Sequence, residues 1–332
     1  MKDHLPQTDP KKLFRKEFHT LHHVLTHSQS FLLIAHSRPD PDTIGATASL
    51  WYYLKSQKKD VVAACEHTLS SEYDSLLPEY SLTPLSEVSI PSFDVIIACD
   101  SVERGFSLLV APNINTEKQI SVILDHHHDI THTADITIVD PQCSSTCELL
   151  SIFFKTYSIP FSKSMATALL CGILGDTGNF QHSNTSTRVL SISSELLEKG
   201  APLWKISSQI FTNKKLSTLR LWGIAFDKAR IHTSSGMIVT GITKEDLESC
   251  HANSEDVSQV ANMLATVPGV RFALIVSQHE DNIIKGSFRA EPLQNIDVSR
   301  LAQKLGGGGH ALASGFEITG TLKENPQGWS IS

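Results

Sequence analysis

The sequence predicts an α/β protein of two lobes, in which a cleft separates an N-terminal parallel-sheet lobe from a smaller α/β lobe. In the first half, short β-branched runs alternate with helical segments, as in the crossover units of a sheet that is buried on both faces. Strand-like runs return towards the C-terminus, and the length of 332 residues fits two domains of ordinary size. We therefore expect domains at 1–190 and 233–332, joined by a helical connector at 191–232.

Periodicity predicts the elements of the first lobe. Several short apolar runs stop abruptly at a polar residue, which is typical of buried strands, and segments with helical spacing lie between and after them. The predicted strands are 31–36, 60–65, 93–100 and 120–127, and the predicted helices are 11–28, 43–57, 144–157 and 163–176.

The second lobe follows a mostly helical stretch at 186–230 that has little strand signal. It combines strand-like runs with two helical segments and a glycine-rich segment. The predicted strands are 236–242, 272–278 and 282–290, and the predicted helices lie near 254–265 and 297–304.

The composition limits the classes of partner. With 28 basic and 35 acidic residues, the formal net charge of −7 disfavours a face that grips duplex DNA and suits small anionic ligands. No signal peptide or membrane-spanning run is recognisable, so we expect a cytoplasmic protein. The six cysteines show no pairing pattern, and for Cys143 and Cys147 packing is favoured over a metal pair.

Four segments place polar side chains where a strand or a helix ends, the usual location of ligands in such sheets. Taken alone, each has a plainer interpretation: a turn with a helix cap, a cap after a strand, a solvated loop or an Asp-Thr-Gly turn. Together they supply two histidines and four aspartates, enough for two divalent metal ions that share one carboxylate. These residues are His36, Asp40, Asp42, Asp100, His126 and Asp176.

A pair of bound metal ions has a defined chemistry. It lowers the pKa of a bridging water, neutralises phosphoryl oxygens and fixes in-line attack. Carboxylates mixed with imidazole favour Mn²⁺, with Mg²⁺ as the alternative. Because alternate side chains leaving a strand point in opposite directions, we expect Asp125 and His127 not to share the role of His126. We also expect Gly45 to let the following helix pack close to the sheet.

The segments HSRPDPDTIG, ACDS, LDHHH and GDTG, in this order, resemble the four motifs of the DHH phosphoesterase family. The resemblance covers roughly residues 30–190. It implies that Asp125 orients a neighbouring ligand and that His127 contacts the substrate phosphate or the leaving group. It further implies a first metal ion held by His36, Asp40 and Asp100, and a second held by Asp42, Asp100, His126 and Asp176.

The glycine-rich segment at 306–316 resembles the signature of the DHH-associated C-terminal domain. Four glycines, which we expect to precede a helix, would let backbone amides approach a phosphate. A flexible loop is the plainer alternative. Arg289 suits a terminal phosphate, whereas Ala290 departs from the serine that relatives often have. The substrate-binding residues implied by the resemblance are Ser287, Arg289, Gly307, Gly308, Gly309 and His310.

The resemblance implies an activity of the compact stand-alone members. These hydrolyse short oligoribonucleotides, 3′-phosphoadenosine 5′-phosphate (pAp), dinucleotides such as pApA, or cyclic di-AMP. We weigh two alternatives: a catalytically silent nucleotide or RNA-binding sensor, and an inorganic pyrophosphatase of the same superfamily. The glycine-rich segment disfavours the pyrophosphatase. The sequence leaves undecided whether the protein forms a homodimer.

Overall fold

A computed structural model describes residues 9–66, 73–102, 106, 110–127, 130, 132–212, 215–253, 257–280, 282–325 and 328–332. Of Thr212, Ser258, His279, Glu280 and His310, it describes the backbone alone. The chain divides into two compact units, Met1–Asn213 and Lys214–Ser332. The segment predicted as a connector thus contributes to both units. No helix within the described ranges is long and apolar enough to cross a membrane.

The first unit contains a six-stranded sheet in which every neighbouring pair is parallel. The predicted parallel sheet is therefore confirmed. Two of its strands escaped prediction because they are only three and four residues long. In chain order the strands are β1 (Ser30–Ile34), β2 (Asp60–Cys65), β3 (Leu82–Pro84), β4 (Val95–Cys99), β5 (Ile120–Asp125) and β6 (Ile136–Val139). Across the sheet they run β3-β2-β1-β4-β5-β6.

Helices and a short π-helix, Ser208–Thr212, complete this unit. The single helix predicted at 11–28 is in fact two, because Phe14 leaves helical geometry at φ −108° and ψ 31°. The helices are α1 (Pro10–Leu13), α2 (Arg15–His27), α3 (Pro41–Ser56), α4 (Thr146–Thr156), α5 (Lys163–Asp176), α6 (Thr187–Glu198) and α7 (Leu203–Ser207).

Both faces of the parallel sheet are buried, as the near-continuous apolar strands predict. On β1, Phe31 and Leu33 pack into one cluster of buried side chains, whereas Leu32 and Ile34 pack into another. This alternation follows from the two-residue period of a strand. Burying a side chain of this size contributes about 1.5–3 kcal/mol, so the central strand is firmly fixed.

The second unit is a smaller α/β unit, as predicted. Its six-stranded sheet is mixed, because β8 and β9 pair in parallel and the other neighbours are antiparallel. The strands are β7 (Arg230–His232), β8 (Met237–Ile242), β9 (Phe272–Glu280), β10 (Ile283–Arg289), β11 (Gly308–His310) and β12 (Ala313–Thr319), in the spatial order β11-β12-β10-β9-β8-β7. A separate hairpin joins β13 (Leu322–Asn325) and β14 (Gly328–Ile331). The helices are α8 (Leu216–Asp227), α9 (Lys244–Cys250), α10 (Ser258–Ala265) and α11 (Ser299–Gln303).

The glycine-rich segment corrects one prediction, since no helix follows it. It leads from α11 into the β11–β12 hairpin. A Cβ at Gly307 would overlap the carbonyl oxygen of Gly315, and Gly309 has φ +133°. The glycines therefore permit close strand pairing, not the start of a helix.

Candidate metal centre

The candidate metal centre lies where the chain order of the first sheet reverses. The chain adds β2 and β3 on one side of β1 and then crosses to the other side of β1 to form β4. Ligands of such sheets bind beyond the carboxyl ends of the strands at this reversal. His36 and Asp40 lie in the loop after β1, and Asp100 directly follows β4. The topology thus delivers three predicted ligands to one place.

Asp40 uses its two carboxylate oxygens differently. Oδ1 caps α3 by accepting hydrogen bonds from the amides of Asp42 and Thr43, each at 3.0 Å. Oδ2 lies 3.6 Å from Nε2 of the buried His36. Burial acts to raise the pKa of Asp40, but His36 and the Thr43 amide outweigh it, and the pKa is lowered. The cap and ligand interpretations are therefore compatible.

Asp42 is fully buried, and the first amides of α4 hold its carboxylate. The amide of Thr146 donates to Oδ2 at 2.7 Å, and that of Cys147 donates to Oδ1 at 3.0 Å. Burial raises the pKa of Asp42 well above its usual value, and the charges of Asp176 and Asp100 add to the effect. A cation beside Asp42 would offset this repulsion.

Asp100 provides the test of whether a metal ion fits. Its Oδ2 accepts a hydrogen bond from Thr43 Oγ1 at 2.7 Å. Its Oδ1 is buried and receives no hydrogen bond from the described residues. That oxygen lies 3.3 Å from His127 Nδ1 and 3.7 Å from His126 Nε2. An unsatisfied buried carboxylate oxygen is costly, and a divalent cation would satisfy it.

His126 faces three predicted ligands. Its Nε2 lies 3.0 Å from Asp176 Oδ2, 3.7 Å from Asp100 Oδ1 and 3.9 Å from Asp42 Oδ2. Burial acts to lower the pKa of His126, but Asp176 and the charges of Asp42 and Asp100 raise it to about 9. Carboxylates from three separate segments therefore meet at this one imidazole.

His127 lies beside His126, although alternation along a strand would turn their side chains in opposite directions. The two ring centroids are 4.7 Å apart, because β5 ends at Asp125 and the chain is no longer extended at the histidines. Asp125 Oδ1 lies 2.8 Å from His127 Nδ1 and accepts hydrogen bonds from the amides of both histidines. Asp100 and Asp125 raise the pKa of His127 to about 11, and half of the side chain is exposed. His128 lies outside the described residues.

Among the described residues, three groups of ligand atoms could hold a metal ion, with the atoms of each group within 4.8 Å of one another. Asp100 belongs to two of them, although not to the group that contains Asp42 and Asp176. His127 also belongs to one, although the sequence assigned it to the substrate. The groups are His36, Asp40 and Asp100; Asp42, His126 and Asp176; and Asp100, His126 and His127.

Two glycines leave space around Asp42 and Cys147 where α3, α4 and α5 pack together. A Cβ at Gly172, on α5, would lie 2.6 Å from Asp42 Oδ1 and would overlap Cys147 Sγ. A Cβ at Gly45 would overlap Cys147 Sγ and the Ala168 carbonyl of α5. Gly45 therefore packs against helices, not against the sheet as expected. The buried thiol of Cys147 fills the space between them.

The predicted substrate-binding residues of the second unit lie on β10 and β11, the two strands that flank β12, and Gly307 directly precedes β11. Ser287 on β10 is opposite Gly315 on β12, which is opposite Gly308 on β11. Two residues further along, Arg289 occupies the same face as Ser287. It is opposite Ala313, whose other partner is His310. The side chain of His310 lies outside the described residues.

Arg289 is held by partners that the sequence did not reveal. Its Nε donates to Asn262 Oδ1, and its Nη1 donates to the carbonyl oxygen of Phe288, both at 2.8 Å. Burial lowers the pKa of Arg289. Two donors of the guanidinium are thus fixed, which orients the remaining ones.

Sequence reasoning missed Thr43, Asn262 and the amides of Thr146 and Cys147. Thr43 lies inside a recognised motif, but a threonine at this position does not by itself indicate a hydrogen bond to Asp100. The amides carry no signal, because every residue except proline has one.

Comparison with known proteins bears on both units. Residues 30–173 match the DHH family, N-terminal domain, and residues 239–326 match the DHHA1 domain. The chain carries a DHH domain followed by a DHHA1 domain. The resemblance predicted from the motifs is therefore confirmed.

Named relatives of this DHH–DHHA1 chain include enzymes. The bifunctional oligoribonuclease and PAP phosphatase NrnA of Thermus thermophilus is 27% identical over 288 residues, which cover 87% of this chain and 84% of NrnA. The cyclic-di-AMP phosphodiesterase PdeA of Listeria monocytogenes is 25% identical over 308 residues, which cover 87% of this chain and 45% of PdeA. The fold is that of an exopolyphosphatase-related protein from Bacteroides fragilis, with a TM-score of 0.85, 24% identity and 92% of each chain covered.

Proposed function

We propose that the protein is a metal-dependent phosphoesterase that hydrolyses short oligoribonucleotides or small nucleotides such as pApA, pAp and cyclic di-AMP. The observation that carries the proposal is the buried, unsatisfied Oδ1 of Asp100 among His and Asp ligand atoms. The activities named for NrnA and PdeA support the same reaction class.

Two divalent ions fit the donor set, and Mn²⁺ suits mixed carboxylate and imidazole ligands, with Mg²⁺ as the alternative. We assign His36, Asp40 and Asp100 to one ion, and Asp42, Asp100, His126 and Asp176 to the other. When bound, the ions supply an activated water and neutralise phosphoryl charge.

The histidine beside the ligands has a different task. The carboxylates of Asp100 and Asp125 raise the pKa of His127 to about 11, which favours the protonated imidazole. Its Nδ1 faces Asp125, and half of the side chain is exposed. We assign it a hydrogen bond to the substrate phosphate, or proton donation to the leaving oxygen. Asp125 fixes the orientation of the imidazole for that purpose.

The DHHA1 domain binds the rest of the substrate in this proposal. The guanidinium of Arg289 takes a terminal phosphate, because its planar fork matches phosphate oxygens. Ser287, the backbone of Gly307, Gly308 and Gly309, and His310 complete the pocket. β11 is the edge strand of its sheet, so its outer backbone groups are free of ladder bonds among the described strands. We place the enzyme in the cytoplasm, in keeping with six buried cysteines that form no disulfide bond.

A product panel tests the proposal. The purified protein is loaded with Mn²⁺ and incubated separately with pApA, a five-nucleotide RNA, pAp, cyclic di-AMP and pyrophosphate. We expect mononucleotides from pApA, and the relative rates of hydrolysis of the five compounds will identify the preferred class of substrate. Phosphate from pyrophosphate alone would replace the proposal with a pyrophosphatase. Tight nucleotide binding with no turnover of any compound would replace it with a sensor.

A further inference from the structure

We propose that Arg188, Glu148 and Asn184 are positioning residues of the metal centre, because they hold the loop whose amides orient Asp42. This inference rests on the proposed function. None of the three carries an assigned role. The loop is residues 142–147, which comprise the last four residues before α4 and the first two residues of α4.

The loop matters because it supplies the bonds that fix Asp42. The amides of Thr146 and Cys147 are the only hydrogen-bond donors to this carboxylate among the described residues. A small displacement of the loop would rotate the carboxylate, and metal affinity depends on such orientation.

A buried carboxylate pins the loop from within α4. The side chain of Glu148 is fully buried, and its Oε2 accepts a hydrogen bond from the Ser144 amide at 2.5 Å. Ser144 lies two residues before the first amide that binds Asp42. A buried carboxylate without a counter-charge is strongly unfavourable, so Glu148 can do this only with a cation beside it.

Arg188 on α6 is that cation, and it also binds the loop directly. Its Nε donates to Glu148 Oε1 at 2.6 Å. Its Nη2 donates to the carbonyl oxygen of Gln142 at 3.4 Å and lies 3.5 Å from Cys143 Sγ. The guanidinium fork therefore holds one end of the loop directly and reaches Ser144 through Glu148.

Asn184 connects the same loop to another predicted ligand. Its Nδ2 donates to the carbonyl oxygens of Ser144 and Asp176, each at 3.3 Å. The network thus reaches the backbone of Asp176 as well as the carboxylate of Asp42. Both belong to the group that also contains His126.

A matched pair of variants distinguishes a role in positioning the metal ligands from a role in stabilising the fold. Arg188→Met removes the cation and keeps most of its volume. Lys155→Met removes another cation that pairs α4 with α6, through Glu195, without touching the loop. Asn184→Ala is a milder change that leaves the buried ion pair intact.

The experiment is titration calorimetry of chelator-treated, dialysed protein with Mn²⁺ alone. We expect Arg188→Met to weaken binding of one of two Mn²⁺ ions by about 10–100-fold, the range for residues that orient metal ligands, and Asn184→Ala to weaken it less. Lys155→Met should bind Mn²⁺ as the wild type does. If circular dichroism shows that Arg188→Met does not fold, the Mn²⁺ affinity of Asn184→Ala tests the inference instead.

Wild-type Mn²⁺ affinity in a folded Arg188→Met or, where that variant does not fold, in Asn184→Ala would overturn the inference and leave the network a purely structural role. Equal losses in Arg188→Met and Lys155→Met would do the same. Failure of the proposed function is distinguishable, because the unmodified protein would then bind Mn²⁺ but hydrolyse none of the nucleotides.

Discussion

Asp100 combines a strained backbone with a buried charge. Its φ is +53°, a left-handed conformation that costs non-glycine residues of order 1–3 kcal/mol and that asparagine and aspartate tolerate best. The Thr43 hydroxyl holds one carboxylate oxygen, and the other faces two histidines. Such strain persists only where the surrounding structure fixes it, which suits a residue that must hold one carboxylate between two ligand groups.

Asp100→Asn should abolish most activity while the fold survives. Asparagine accepts the same backbone conformation and keeps an acceptor for Thr43, but it removes the negative charge from the centre. We expect kcat/KM to fall by about 10³-fold, equivalent to about 4 kcal/mol. Steady-state kinetics with Mn²⁺ measures the effect, and Asp60→Asn, at the exposed start of β2, is the control. Unchanged turnover would remove Asp100 from the metal assignment.

Arg289→Ala should mainly raise KM for substrates with a terminal phosphate. The variant removes the fork that Asn262 orients, and lost uniform binding appears in KM. Kinetics on pApA and on unphosphorylated ApA test it. We expect a KM increase of about tenfold on pApA alone, for about 1.4 kcal/mol of lost binding. Lys285→Ala, on the same strand but paired with Glu317, is the control. Equal losses on both substrates would contradict the assignment.

At this scale the sequence predicts the candidate ligands better than the groups that hold them in place. His36, Asp42 and Asp176 belong to recognisable motifs, and each lies in a group of His and Asp side chains that could hold a metal ion. The acceptor role of Asp42 towards two α4 amides is invisible in the sequence, because amides are common to nearly all residues.

The close packing of α3, α4 and α5 is the central feature at the scale of elements. Gly172 and Gly45 leave room for the Cys147 thiol and the Asp42 carboxylate, so the helices approach closely enough to share a site. Any side chain at these positions would push the helices apart.

Gly172→Ala should therefore destabilise the protein by about 1–3 kcal/mol, the usual cost of overpacking a core. It should also weaken Mn²⁺ binding, because the new methyl group meets Asp42 Oδ1. Gly223→Ala on α8 is the matched control: a Cβ there meets nothing within 4 Å, and about 0.4–1 kcal/mol of stabilisation is expected. Urea unfolding measures both variants. A neutral Gly172→Ala would show that the helices have room to move.

The amino ends of β1 and β4 are joined by a carboxylate with a pH-dependent contribution. Asp94 accepts hydrogen bonds from the amides of Gln29 and Ser30, both at 3.0 Å, and these bonds lower its pKa. The stabilisation is fully present above the unfolded value of about 3.9 and is lost as the pH falls through the lower folded value.

Asp94→Asn should thus reduce the free energy of unfolding at pH 7 more than at pH 3. Asparagine keeps an acceptor but carries no charge, so the difference between the variant and the wild type narrows in acid. Urea unfolding at both pH values measures it. An equal difference at pH 7 and pH 3 would show that the charge of Asp94 contributes nothing.

Predictions of elements succeeded where the pattern was long. The period of α5 and the apolar run of β2 gave their bounds, because burial on all sides leaves a continuous signal. The helix predicted after the glycine run was wrong. Glycine permits both a close backbone approach before a helix and close pairing of strands, and only the position of Gly315 on β12 decides between them.

At the scale of the whole molecule, the aspartates of the candidate metal centre repel one another, so metal binding and stability should be coupled. A ligand that binds only the folded state at 100 times its Kd adds about 2.7 kcal/mol to the free energy of unfolding. Replacing chelator by saturating Mn²⁺ should raise Tm by about 5–10 °C. Thermal unfolding followed by circular dichroism measures the shift, and Asp100→Asn should show less of it. Identical Tm values with and without Mn²⁺ would contradict a metal centre here.

The contact between Asp42 and the start of α4 also sets the order of events during synthesis. Its partners lie 104 and 105 residues further along the chain, and Asp176 emerges later still. At about 5–20 residues per second, the ribosome needs on the order of ten seconds to supply them. Until then the nascent chain displays His36, Asp40 and Asp42 without their partners. The complete set of proposed metal ligands therefore exists only once most of the first unit has been synthesised, so the ions of the proposed function would enter a nearly finished DHH domain.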